Sequence, residues 1–159
     1  MSLILASSSP FRKAILERLG VSFITVSPNI DETRKTAETP YDLVYRLAEE
    51  KAKEVAKTHS GLIIASDQVA TLDSGNDEGD EILTKPLTHE NAFAQLQKSS
   101  GRTVTFLTSV ALLNTETGIL QNHVEFFRVV FKSLRDNHIL SYLEPVSYTH
   151  LTLPTSDLV

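Results

Sequence analysis

Apolar and polar positions change period several times along the chain, and each change marks an element. "LILA" (3–6) is an unbroken apolar run of strand length. Ser9 then suits a helix N-cap and Pro10 the first helical position. Phe11, Ile15 and Leu19 recur every four residues, which predicts one buried helix face, with Gly20 as the stop. Val21–Val26 reads as a second strand before the polar loop "SPNIDETRKTAET" (27–39). Thr39-Pro40 opens the next helix, with Asp42 in its first turn and an apolar stripe of Val44, Leu47, Ala48 and Val55. Lys51 falls on that stripe rather than opposite it. "LIIAS" (62–66) is a buried strand expected to end at Asp67, and Val69–Leu72 leads into the acidic loop "DSGNDEGDE". A helix capped by Thr88 closes near Gly101. "TVTFLTSVALL" and "ILQNHVEFFRVVF" flank "NTETG" as an antiparallel hairpin, and "LRDNHILSYL" reads as a last helix. Strands alternate with helices early and pair late, which predicts an α/β fold with a mixed sheet and flanking helices.

Composition narrows the field. The 159 residues suit one domain, and 41% apolar with 22% charged residues is a globular balance. A net charge of -5 argues against a broad nucleic-acid surface. There is no cysteine, so neither disulfides nor thiolate chemistry enter. No apolar run reaches membrane-spanning length and no leader is visible, so a cytoplasmic protein is expected.

Against this background several polar residues break local rules. Arg12 and Lys13 sit in the first turn of a helix, where the backbone already carries partial positive charge. A bound anion at that turn would reverse the penalty; cations pointing to solvent would merely tolerate it. Asp31 and Glu32 follow a strand, and so do Asp67 and Gln68, where α/β sheets gather ligands. Acids there can hold a divalent metal or act as a base, although an isolated Asp also serves caps and turns. Lys51 on an apolar stripe is compatible with snorkelling, its stem buried and its amine in water. Lys85, before Pro86, is compatible with an ordinary loop. The five histidines show no metal-ligand spacing and receive no role.

"LILASSSPFRKAILERLG", "SPNIDET", "RLAEEKA", "LIIASDQVA" and "TKPLTHENA", in that order, closely resemble the Maf family of nucleotide pyrophosphatases over residues 1–145. "SPFRK" and "SDQV" resemble the subfamily acting on 7-methyl-GTP rather than the one acting on dTTP and UTP. The resemblance implies a two-lobed fold with a central cleft, like that of the inosine triphosphate pyrophosphatases. It implies hydrolysis of a nucleoside triphosphate to monophosphate and pyrophosphate, assisted by Mg²⁺ or Mn²⁺, and a homodimer. By the same resemblance Ser9, Arg12, Lys51 and Lys85 bind phosphate, and Asp67 is the general base. Glu32 is the metal-binding acid, and Phe11 and Gln68 select the base. A dTTP/UTP pyrophosphatase and a nucleotide-binding module without hydrolysis are the alternatives. After "LSYLEP" the family pattern is lost, and "VSYTHLTLPT" resembles an in-frame translation of a transposase-type sequencing adapter. The expected organisation is therefore an incomplete Maf-like domain at 1–145, lacking its C-terminal part, and a non-native tail at 146–159.

Overall fold

The computed structural model describes residues 1–73, 81–83 and 88–143. Their elements, in chain order, are β1 (Leu3–Ala6), α1 (Pro10–Glu17), β2 (Ile24–Thr25), α2 (Pro40–Ala56), β3 (Leu62–Leu72), β4 (Glu81–Leu83), α3 (His89–Ser99), β5 (Thr103–Asn114), β6 (Leu120–Val130) and α4 (Asp136–Leu143). The strands form one mixed sheet in the order β2-β1-β3-β5-β6, with β4 also on β3. β1 runs parallel to β2 and β3, while β4 is antiparallel to β3. This is the mixed α/β class that the sequence predicts.

Helix starts follow the expected caps. Ser9, Thr39 and Thr88 each accept a hydrogen bond from the backbone N–H three residues on, satisfying a donor the helix leaves open. The apolar stripe of α2 is buried as expected, Lys51 included.

Three expectations change. Phe11, Ile15 and Leu19 are 53%, 62% and 71% exposed, and Leu16 is the buried residue of α1. Spacing shows which side chains share a stripe, but a stripe is buried only where another element covers it. Val21–Val26 shrinks to a two-residue strand, in which Ile24 and Thr25 pair with Ile4 and Leu5 of β1. β3 does not end at Asp67 but continues to Leu72, flanked there by β5 on one edge and by β4, which pairs with Ala70–Leu72, on the other.

The chain forms two compact units, Met1–Gln68 with Leu107–Glu125, and Val69–Phe106 with the chain from Phe126. In the first, Ile4, Ala6, Ile63, Ala65 and Leu113 of the sheet pack against Ala52 and Val55 of α2. In the second, Leu72, Leu83, Val104 and Val129 of the strands share a core with Leu96 of α3 and Ile139 and Leu143 of α4. The "DSGNDEGDE" loop lies outside the described residues except for Asp73 and Glu81, as does the whole 146–159 tail.

β1 and β3 are brought into register at Gly61. Leu62 N–H donates to the Ser2 carbonyl at 2.8 Å, and Gly61 N–H to Thr115 Oγ1 at 2.8 Å. Gly61 takes φ +143°, and a Cβ there would meet Ser2 O at 2.2 Å. Both backbone conformation and space require glycine. Gly61→Ala is expected to lower stability by about 2–3 kcal/mol, read as a fall in the urea midpoint with the m-value unchanged.

Candidate active site

The first unit gathers its chemistry around one buried cation. Lys51 lies seven residues after Val44 on α2, nearly two turns on, so it shares the face that packs on the sheet. β3 alternates as a strand must: Ile63, Ala65 and Asp67 are buried on one side, whereas Gln68 is exposed on the other. The α2 face and the Asp67 side of β3 therefore meet. Lys51 Nζ donates to Asp67 Oδ1 at 2.8 Å and stands 2.8 Å from Glu32 Oε1. Lys51 is 7% exposed and Asp67 8%, whereas the Glu32 side chain is more than half exposed.

The electrostatics of Asp67 combine opposing effects. Burial raises its pKa above the ordinary carboxylate value. The Lys51 charge and hydrogen bond oppose that rise, Glu32 adds to it, and the Arg12 charge lowers it. The net direction is upward.

Glu32 reaches Lys51 because its loop is clasped to α2. Arg46 donates to both carboxylate oxygens of Glu38 (2.6 and 2.9 Å), to Glu50 (3.0 Å) and to the Thr33 carbonyl (3.1 Å). This bidentate pairing holds Glu38 down to about 2. Asp31 turns inward on its own loop: its carboxylate accepts the Thr33 N–H at 2.9 Å, and hydrogen bonding to Thr33 lowers its pKa. Sequence reading missed the clasp, although Arg46 and Glu50 at i, i+4 on a helix were a visible signal.

Ser9 Oγ accepts the Arg12 N–H at 3.4 Å, so its hydroxyl caps α1. Arg12 is half-buried, and among the described residues no carboxylate lies within ion-pair distance of its guanidinium. Lys13 instead meets Glu17 at the surface, 3.9 Å away. Gln68 Nε2 donates to Thr108 Oγ1 at 2.8 Å on the opposite face of β3 from Asp67. Phe11 is exposed on α1. Thus Lys51, Asp67 and Glu32 are in contact and Arg12 acts on Asp67 through its charge, while Gln68 is on the other face of β3 from that cluster. Lys85 lies outside the described residues.

Among the described residues no group of three or more His, Cys, Asp or Glu is poised around one point. Glu32 offers a single exposed hard oxygen donor beside the cluster. That suits Mg²⁺ or Mn²⁺, which take one or two protein carboxylates and complete their shell with phosphate oxygens and water.

The Maf family, described as Maf-like protein, matches residues 2–150. The chain belongs to the Maf family. Two curated relatives agree. A protein of Nitrosococcus oceani named 7-methyl-GTP pyrophosphatase is 48% identical over 144 residues, covering 90% of this chain and 69% of the relative. One of Pseudoalteromonas atlantica with the same name is 49% identical over 144 residues, covering 91% and 71%. Two solved structures share the fold alone. The Staphylococcus aureus Ham1 protein has a TM-score of 0.58 at 13% identity, covering 82% of this chain and 72% of that one. A HAM1 protein from Coxiella burnetii has a TM-score of 0.51 at 14% identity, covering 82% and 73%. No helix among the described residues of this Maf chain is long and apolar enough to cross a membrane.

The Lys51–Asp67 pair gives a directional pH prediction. Lys51→Met removes the main influence that holds the Asp67 pKa down, so that pKa moves further up. A folded-state pKa above the unfolded value contributes stability that is present at low pH and lost as pH rises through it. The stability gap between wild type and Lys51→Met should therefore widen from pH 5 to pH 8, reaching about 3–5 kcal/mol where Asp67 must ionise without its partner. Urea denaturation at the two pH values checks this.

Proposed function

We propose that this Maf chain is a nucleoside triphosphate pyrophosphatase, with 7-methyl-GTP as its substrate. The observation that carries the reading is the buried Lys51 ammonium between Asp67 and Glu32, set in a chain whose curated relatives are named for that activity. A buried carboxylate whose pKa is raised above the ordinary carboxylate value is a better proton acceptor than a free one.

In this reading Asp67 orients a water and accepts its proton as the oxygen attacks the α-phosphorus. The bond from that phosphorus to the oxygen bridging to the β-phosphate breaks. Pyrophosphate leaves with the electron pair, and the nucleoside monophosphate remains. Lys51, Arg12 and Lys85 offset the charge of the phosphates, and the Ser9 end of α1 adds backbone N–H groups. Arg12 fits this role because no protein carboxylate already neutralises it among the described residues. Glu32 would hold Mg²⁺ or Mn²⁺, which when bound supplies further charge neutralisation to the phosphates. The exposed ring of Phe11 suits a base, and a guanine made cationic by methylation adds a cation–π attraction. Gln68, turned away from Asp67, offers amide groups to a base edge rather than to phosphate. The protein is expected to act in the cytoplasm as a homodimer.

Pyrophosphate release from 7-methyl-GTP, dTTP and UTP with Mg²⁺ tests the reading. A higher kcat/KM for 7-methyl-GTP is expected, and nucleotide binding without release from any of the three would overturn hydrolysis. Asp67→Asn should lower kcat by about 10²–10⁴-fold while the nucleotide still raises Tm. Arg12→Ala should leave the ligand-free Tm unchanged or slightly higher, because a cation leaves the positive end of α1. The rise in Tm on adding nucleotide should shrink. A lower ligand-free Tm with an intact ligand response would make Arg12 structural.

A further inference from the structure

Ser109 is fully buried on β5 and its hydroxyl touches both elements that build the Lys51–Asp67 pair. Its Oγ accepts the Asp67 N–H at 3.1 Å and lies 3.2 Å from the Asp67 carbonyl. It also lies 2.6 Å from the Val44 carbonyl of α2, to which it donates. A serine hydroxyl has one proton to give and lone pairs to receive. The short contact assigns that proton to Val44, and the Asp67 N–H fills the acceptor side.

The placement matters because of what each partner carries. Val44 is on the same helical face as Lys51, seven residues earlier, and Asp67 is the residue that Lys51 must meet. β3 pairs with β1 only up to Ala65 and with β4 only from Ala70. On its other edge β3 neighbours β5, and at Asp67 that neighbour is met through a side chain: the backbone N–H donates to Ser109 Oγ, which in turn reaches α2.

We propose that Ser109 is a positioning residue for the reaction: its hydroxyl pins the Asp67 backbone to α2 and thereby sets the distance and direction at which the Asp67 carboxylate meets Lys51 and the attacking water. This rests on the hydrolytic reading given above. Without the hydroxyl, the Asp67 N–H and the helix carbonyl lose their common link, and the strand and helix are free to shift by a fraction of an ångström. Such shifts leave binding groups in place and harm the chemical step most.

The test compares Ser109→Ala and Ser109→Cys, which remove or weaken the hydrogen bonds with little change of volume, in the full chain. Expected results are a kcat for 7-methyl-GTP about tenfold or more below wild type, an unchanged KM and an unchanged nucleotide-induced rise in Tm. Amide hydrogen exchange at Asp67 should be faster in both variants. Wild-type kcat in a folded variant, with only Tm lowered, would overturn the proposal, as would loss of folding in both variants, which would make Ser109 purely structural. A wild-type chain that binds nucleotide but releases no pyrophosphate would fail the hydrolytic reading instead. In that case the Asp67 exchange rate still reads the anchor: an unchanged rate would overturn it.

Discussion

A lysine ammonium taken out of water must be given anions, and the first unit is arranged around that requirement. Lys51 is delivered to the interior by the same stripe that packs α2 on the sheet. Its stem fits an apolar face, but its charge does not. Asp67 on the buried side of β3 and Glu32 on the preceding loop supply the compensation. Each acid in turn depends on another device: Glu32 on the Arg46–Glu38 clasp that folds its loop back on α2, and Asp67 on the Ser109 hydroxyl. The ionic cluster and the two polar links form one connected system, centred on a single ammonium.

Such a system is a poor way to gain stability. Desolvating an ion pair costs about as much as its attraction returns, and well-packed apolar residues often do as well. The upward pKa direction at Asp67 carries the same message: even with Lys51 beside it, the ionised carboxylate is disfavoured by burial. Under the proposed hydrolysis, a locally unfavourable charge kept in the core has a use that packing alone does not give it. Arg12 belongs to the same pattern. A guanidinium in the first turn of α1, with no carboxylate partner among the described residues, opposes the helix dipole, and the phosphate of the proposed substrate would offset that.

The pleat of β3 divides the site. Consecutive residues of a strand face opposite sides, so Asp67 and Gln68, adjacent in the chain, serve different surroundings. Asp67 meets α2, and Gln68 meets Thr108 of β5. Proton transfer and base contact, if carried by these two residues, are thereby kept on separate faces by one backbone rule, without a separate structural device. The length of β3 makes this possible, because a strand ending at Ser66 would have left both residues in a loop free of the alternation.

Local signals in the sequence were sufficient wherever the physics is local. The caps at Ser9, Thr39 and Thr88, the α2 stripe, the hairpin around "NTETG" and the unusual place of Lys51 were all legible, because capping, periodicity and turn chemistry involve residues a few positions apart. The motifs also sufficed for the family. What the chain alone did not decide was which partner covers each surface. Nothing local distinguishes the exposed stripe of Phe11, Ile15 and Leu19 from the buried stripe of α2, since both have helical spacing. The extension of β3 past Asp67 has β4 and β5 as its partners, and both are recruited by pairing rather than by any motif. Ser109 looked like an ordinary strand residue, because its role exists only where Val44, 65 positions away, and Asp67, 42 positions away, come to one hydroxyl. Side-chain chemistry is written residue by residue, but its meaning here is set by contacts between α2, β3 and β5, and those contacts form only when these elements pack in the first unit.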